Sequence, residues 1–412
     1  MSRIVLKFGG TSVGSVERIN HVAKIVKSEV DLGNQIVVVL SAMAGETDRL
    51  INLTKELSND FQDSEFDVVI SSGEQVTAGA LSGLLNSLGI KAQSRLGWQI
   101  PIVTSGDHKS ARIEAIHSKE LINLLELNEV IVIPGFQGIN SEGRITTLGR
   151  GGSDTSAVAI AAAIDADFCD IYTDVDGVYT SDPNKVPTAK RLDKISYEEM
   201  LEMASLGAKV LQTRSVETAM NNDVVLRVLS SFSDIGEDKK GTLVCPEDSI
   251  ADKKIVTGVA ASTNDSKLTL TGIKDKPGVA AEILSVLADD GINVDMIVQN
   301  ISDDRKTTDL TYTVPNDESI RAKELMEGLS SSLSYKELIV DNNIAKISIV
   351  GVGMRSNAGV ASQMFRVLSQ NNINIDVIST SEIKISVLIN KDLTEKALNT
   401  LHDHFELGNT TN

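Results

Sequence analysis

Residues 4–12 read Ile4-Val5-Leu6-Lys7-Phe8-Gly9-Gly10-Thr11-Ser12. A branched apolar run closing on a glycine pair is a buried strand feeding a tight turn. Working outward, Ile19, Val22, Ile25 and Val26 recur at helical spacing, and residues 35–40 form a second β-branched strand. Residues 66–70 lead into Ser71-Ser72-Gly73-Glu74. Val76, Ala80, Leu84 and Leu88 then mark a helix that begins near Glu74 and stops at Gly89. Residues 129–133 make a strand ended by Pro134-Gly135, and residues 164–173 carry a helix end and a strand. Ser196 with Glu199 forms a capping box, and residues 224–229 are a further strand. This alternation predicts an α/β domain over residues 1–233, an αβα sandwich on a mainly parallel sheet.

Residues 234–254 are charged and hold Gly236, Gly241 and Pro246, so they are expected to be a linker. An internal repeat follows. Gly278-Val279-Ala280 recurs 81 positions on as Gly359-Val360-Ala361, and the same offset carries Ile292-Asn293 to Ile373-Asn374 and Asp295 to Asp376. Lys267–Gly272 returns as Lys346–Gly351 at an offset of 79. Each copy reads strand, glycine loop, helix, Gly/Asn turn, strand, the pattern of a small α+β module whose partner copy covers an otherwise exposed face. The expected modules are residues 255–340 and 341–412.

The longest apolar run, residues 157–164, is far short of the roughly 20 residues of a membrane span. Lys7 and two glycines interrupt the place where a signal peptide would lie, so a cytoplasmic protein is expected. A net charge of −18 argues against nucleic acid as a partner and makes the few well-placed cations important for any anionic substrate. Cys169 and Cys245 form no metal or redox spacing, and five scattered histidines give no zinc signature. No metal site on the protein itself is expected.

No Gly-x-x-x-x-Gly-Lys loop is present, so phosphate binding must rest on other glycine loops. Lys7 beside Gly9 and Gly10 offers an ammonium and open backbone N–H groups at a strand end, where α/β sheets hold ligands. A plain turn with a solvated lysine fits the same spacing. Thr147-Leu148-Gly149-Arg150-Gly151-Gly152-Ser153-Asp154 opens a helix with three glycines and an arginine, more than a cap needs and suited to an anion. Thr173-Asp174-Val175-Asp176-Gly177-Val178-Tyr179 with Asp182-Pro183 would serve a nucleotide, or be ordinary Asp-Gly and Asp-Pro turns. Glu74 would favour a helix dipole or bind an ammonium. Lys209, expected at a helix start after Gly207-Ala208, is unfavourable there unless an anion binds.

Lys7–Ser12, Ser41-Ala42-Met43, Ser72-Gly73-Glu74, the Thr147–Asp154 loop and Tyr172–Tyr179, in this order and spacing, resemble the aspartokinases of the amino-acid kinase family. The repeated tail resembles paired ACT domains, ferredoxin-like βαββαβ modules that bind amino acids. The resemblance implies transfer of the ATP γ-phosphoryl to aspartate, with Mg²⁺ bridging the phosphates. By the same token Lys7 and Lys209 stabilise the group in flight, Asp154 organises Lys7, and Gly9 and Gly10 contact phosphates. Ser41, Thr47, Glu74, Arg150, Gly151 and Ser153 hold aspartate, Glu74 on its ammonium and Arg150 on its α-carboxylate. Lys7, Thr173, Asp174, Tyr179 and Asp182 face ATP. In the tail, Asp275, Gly278, Ala280, Asn293, Gln299, Asn374 and Asp376 take a regulatory lysine, threonine or both; Asn293 and Asn374 as simple turn caps is the plainer alternative.

The substrate carboxylate is ionised at neutral pH, so no general base is required and the absence of histidine from these loops is expected. No methionine lies between Met220 and Met296, so a separate small subunit from an internal start near the boundary is less expected than a homo-oligomer through the ACT domains. A kinase for another carboxylate, carbamate or nucleotide, and a non-catalytic amino-acid sensor, remain the rival readings. Glu74 with Arg150 favours a zwitterion, and the intact lysine and glycine loops favour catalysis.

Overall fold

The computed structural model describes residues 1–127, 129–206, 210–233, 240–251, 254–301 and 306–408. The chain divides into two compact units, Met1–Val178 with Arg191–Asp252, and Tyr179–Lys190 with Lys253–Asn412. Among the described residues no helix is long and apolar enough to cross a membrane.

The first unit is built on an eight-stranded sheet. From one edge the strands run Lys194–Ser196, Thr242–Cys245, Leu226–Ser230, Phe168–Thr173, Arg3–Phe8, Gln35–Leu40, Val130–Pro134 and Ala92–Ser94. All neighbours are parallel except Leu226–Ser230 with Thr242–Cys245. Phe8 stands level with Leu40 and Tyr172, and Leu40 with Pro134. The strand C-termini therefore share one edge, and the loops leaving them open on the same side of the sheet.

Alternation sorts the central strand's side chains. Ile4, Leu6 and Phe8 join Ile36, Val38 and Leu40 in one core with helices Val16–Asp31 and Asp63–Ser87. Val5 and Lys7 fall on the opposite face, the face covered by helix Gly152–Ala163. Lys7 is thus aimed at that helix by strand parity alone.

Two expectations are corrected, and one element was not anticipated. Residues 242–245 are a strand inside the sheet rather than linker, because Thr-Leu-Val-Cys is too short to show a period among charged neighbours; residues 234–239 and 252–253 of that span lie outside the described residues. The helix expected to start near Glu74 begins eleven residues earlier, at Asp63, which places Glu74 mid-helix. Its interior Gly73 is explained by packing, since a Cβ there would stand 2.8 Å from the Ala42 Cβ. A second, four-stranded sheet of Ile113–Ile116, Ile102–Thr104, Gln137–Ile139 and Ile145–Thr147 had no sequence counterpart. The capping box is present as read: Ser196 Oγ accepts from Glu199 N–H and Glu199 Oε2 from Ser196 N–H, each at 3.2 Å.

The second unit holds two antiparallel four-stranded sheets. The first repeat is a complete βαββαβ module, strand order Asp295–Ile301, Thr307–Pro315, Asp265–Lys274, Glu337–Asp341. The second repeat, starting at Ile344–Val350, has no fourth strand of its own among the described residues. Gly258–Ser262, which precedes the first repeat, pairs along that strand instead. The expected division at 340/341 therefore becomes an insertion, the first module sitting between two parts of the second. Without Gly258–Ser262 the Ile344–Val350 edge would be unpaired. Helices Val279–Asp289 and Val360–Gln370 start identically, behind Gly278 and Gly359 in the left-handed region at φ 92° and 96°.

The repeat symmetry extends to charge. Lys346 Nζ lies 2.7 Å from Asp295 Oδ2, and the equivalent Lys267 Nζ lies 2.8 Å from Asp376 Oδ2. Each repeat's lysine pairs with the other repeat's aspartate.

Candidate active site

A cleft of about 450 Å³ opens at the strand-end edge of the first unit. Lys7, Gly9, Gly10, Ser41, Thr47, Glu74, Arg150, Gly151, Ser153, Asp154 and Thr173 all line it. Five separate sequence blocks thus converge on one cavity.

Lys7, near the end of the central strand, puts Nζ 2.5 Å from Asp154 Oδ1 in the first turn of helix Gly152–Ala163. Both side chains are about nine-tenths buried. The pair fixes an ammonium at the cleft with its remaining donors free to face a ligand. Helix Gly152–Ala163 starts behind Gly151 with no side-chain cap; Gly152 N–H donates to the Gly149 carbonyl at 3.0 Å, which leaves the Ser153 and Asp154 N–H groups to face an anion.

Glu74 is 3% exposed. Its Oε1 accepts from Ala42 N–H at 3.2 Å, while Oε2 has no hydrogen-bond partner among the described residues. Burial pushes the Glu74 carboxyl up to about 7, against the pull of its own and the Ala42 backbone N–H groups. A buried carboxylate with one vacant oxygen is an incomplete pair, which a cation entering the cleft would complete. Arg150 is exposed and has no ion-pair partner among the described residues. One cleft therefore presents a carboxylate wanting a cation and a guanidinium wanting an anion, which is complementary to an amino-acid zwitterion.

Three expected residues stand elsewhere. Asp174 is exposed beside Thr173, whose Oγ1 donates to it at 3.1 Å, and does not line the cleft. Tyr179 and Asp182 belong to the second unit, where Asp182 Oδ1 accepts from Asn184 N–H at 3.0 Å in an ordinary Asx turn. Lys209 lies outside the described residues. Among the tail residues, Asp376 is engaged by Lys267, and Asn374 Nδ2 reaches Asp376 Oδ1 at 3.4 Å. Asp275, Asn293 and Gln299 are exposed.

Sequence reading missed Phe136 and Gln212, which also line the cleft. Phe136 adopts φ 72°, rare for an aromatic residue. Its N–H donates to Ser156 Oγ at 3.1 Å and its carbonyl accepts from Leu148 N–H at 2.9 Å. The Pro134-Gly135 turn before it was the available signal. Gln212 gave none.

The Amino acid kinase family model matches residues 2–230, and the ACT domain model matches residues 268–327 and 347–405. An aspartate kinase of Pseudomonas fluorescens strain SBW25 is 52% identical over 410 residues, covering 99% of this chain and 98% of that one. The chain belongs to the aspartate kinases. Aspartate kinases are phosphotransferases with a carboxyl group as acceptor, so this chain is an enzyme of that class. Aspartate kinase architecture is matched along its whole length. The structure of E. coli aspartokinase III in complex with aspartate and ADP (R-state) superposes with a TM-score of 0.81 at 26% identity, covering 97% of this chain and 99% of that one. The same E. coli protein in complex with lysine and aspartate (T-state) gives 0.79 at 27% identity, covering 98% and 99%.

Proposed function

We propose that the cleft takes aspartate as its zwitterion and transfers the γ-phosphoryl of ATP to the side-chain carboxylate, giving 4-phospho-L-aspartate. The observation that carries this reading is Glu74, buried, with one oxygen unpartnered among the described residues and its carboxyl pushed up to about 7. The substrate ammonium would complete it. Arg150 would fork onto the α-carboxylate, with Ser41, Thr47, Gly151 and Ser153 supplying hydrogen bonds around the substrate. The complex of the E. coli relative with ADP supports the nucleotide assignment.

Mg²⁺ would be carried by the ATP phosphates rather than by this chain's side chains, and would neutralise part of their charge. Lys7, held by Asp154, neutralises charge on the transferring phosphoryl, and Gly9 and Gly10 let backbone N–H groups approach it. Lys209 is assigned the second cation of this step on its sequence position. Thr173, which lines the cleft, is assigned to the nucleotide. The acceptor is already an anion, so positioning and charge neutralisation are the whole of the protein's task. The acyl phosphate is an activated product, fitting the first step of lysine, threonine and methionine synthesis.

The ACT repeats are proposed to bind lysine, threonine or both, as the lysine complex of the E. coli relative supports. Asp275, Gly278, Ala280, Asn293, Gln299, Asn374 and Asp376 are the proposed contacts. A homo-oligomer through these modules is supported by Ile297 and Ile301, 48% and 63% exposed on the edge strand Asp295–Ile301.

Trapping the acyl phosphate with hydroxylamine tests the reading. Aspartate, and not glutamate, should give hydroxamate with ATP·Mg²⁺, and lysine or threonine should suppress it. Turnover of glutamate at a comparable kcat/KM would overturn the substrate assignment. Substituting Asp275 or Gln299 should weaken inhibition with uninhibited turnover retained; inhibition surviving both changes would overturn the effector site.

A further inference from the structure

Asp67 is fully buried and does not line the cleft. It sits on helix Asp63–Ser87 and collects donors from two other segments. Oδ1 accepts from Thr147 Oγ1 at 2.6 Å, both oxygens meet Lys109 N–H at 3.2 Å, and Oδ2 meets His108 Nδ1 at 2.7 Å. Lys109 holds φ 66°, which turns its N–H onto the carboxylate.

This turn presses on the loop that carries Arg150. Ala111 N–H donates to the Thr147 carbonyl at 2.9 Å. Arg214 donates to the carbonyls of Leu148 and Ala111, at 2.9 Å each, and so ties the two segments together a second time. Gly149, next to Arg150, comes so close to the turn that a Cβ on it would stand 3.0 Å from the Lys109 carbonyl oxygen. Asp67, His108, Lys109, Thr147 and Arg214 are all absent from the cleft lining, so they meet the substrate only through the loop.

We infer that Asp67 is a positioning residue for aspartate recognition: by holding Thr147 and the Lys109 turn it fixes the backbone from which Arg150 reaches the α-carboxylate. The inference rests on the proposed role of Arg150. A carboxylate accepts from all three groups with His108 carrying its proton on Nδ1, whereas an amide turns its NH₂ toward one of them and so either opposes Thr147 or Lys109 or forces His108 into the other tautomer. Lys7, Gly9 and Gly10 leave from a different element, so the nucleotide side of the cleft is not under this control.

The test is steady-state kinetics with aspartate and ATP varied separately. Asp67→Asn should raise the aspartate KM about tenfold or more, with the ATP KM shifted by less than about threefold. Thr147→Val should raise the aspartate KM in the same selective way, and Thr147→Ser, which keeps the hydroxyl, should restore it. These two variants decide the matter should Asp67→Asn fail to fold. An unchanged aspartate KM in folded Asp67→Asn or Thr147→Val, or equal shifts for both substrates, would overturn the inference and leave Asp67 a fold staple. Arg150→Ala is the control for the underlying reading. A raised aspartate KM there with none in Asp67→Asn refutes the inference alone; an unchanged one refutes the role of Arg150 itself.

Discussion

Lys7 Nζ and Asp154 Oδ1 meet at 2.5 Å, joining the central strand of the sheet to the first turn of the helix that covers its opposite face. Strand parity aims Lys7 at that helix, and the glycine loop before Asp154 brings the carboxylate down to it. The pair places one fixed cation in a chain whose net charge of −18 would otherwise repel ATP.

Removing that cation should act on the chemical step. Lys7→Met is expected to lower kcat by about 10²–10³-fold, the usual cost of a lost electrostatic stabiliser. Asp154→Asn should also lower kcat, because Nζ is then no longer held. Measurement of hydroxamate formation at saturating substrates checks both. Wild-type kcat in Lys7→Met would remove it from the mechanism.

Glu74 makes aspartate binding depend on pH. Only the ionised carboxylate attracts an ammonium, so the aspartate KM should rise as pH falls below about 7. Glu74→Gln should raise KM roughly 10- to 100-fold at pH 8 and flatten that dependence. A KM profile of the same shape in the variant would assign the titration to another group.

The same residue sets a stability trend in the ligand-free protein. Its folded pKa is raised from 4.5 to about 7, so its contribution to stability is full below about pH 4.5 and is lost as pH rises through about 7. Glu74→Gln should therefore be more stable than wild type at pH 8, by up to about 3 kcal/mol, with the gap closing toward pH 5. Urea unfolding at the two pH values reads this directly; a variant less stable than wild type at pH 8 contradicts it.

The reciprocal lysines of the tail predict a different asymmetry. Burial pushes the Asp295 carboxyl up, but the hydrogen bond and charge of Lys346 outweigh it and hold it below its ordinary value of 3.8. Its stabilising contribution is thus present above about pH 4 and lost as pH falls further. Lys346 is 6% exposed, and Asp295→Asn leaves it, among the described residues, the carboxylate of Asp265 at 3.8 Å. That substitution should cost about 1–3 kcal/mol in the second unit. Asp376→Asn should cost less, because Lys267 keeps Asp341 at 3.5 Å. Thermal melts of the two variants rank them; the opposite order would contradict the argument.

Much of this was legible in the sequence for physical reasons. The central strands Arg3–Phe8 and Gln35–Leu40 are buried on both faces, so their β-branched runs stand out without any period analysis. The glycine loops were visible because glycines and one arginine exceed what a helix cap needs. Three- and four-residue strands such as Ile145–Thr147 and Thr242–Cys245 were not, since they are too short for a pattern. Glu74 was placed at a helix start because Gly73 looked like a boundary; its real cause, the approach of Ala42, is tertiary. Asp67 carried no sequence signal at all, because its donors come from segments about 41 and 80 residues away. The exchange of Gly258–Ser262 into the second repeat's sheet was likewise hidden, the repeat itself suggesting two modules in series.

Proton release on aspartate binding is the most direct test of the central claim, that Glu74 waits in the cleft for the substrate ammonium. Titration calorimetry at pH 7 in two buffers of different ionisation enthalpy measures it. Ionisation of a group with a pKa of about 7 on binding should release about half a proton per aspartate in the wild type, and close to none in Glu74→Gln. Aspartate binding without proton release, or with equal release in the variant, would contradict the account.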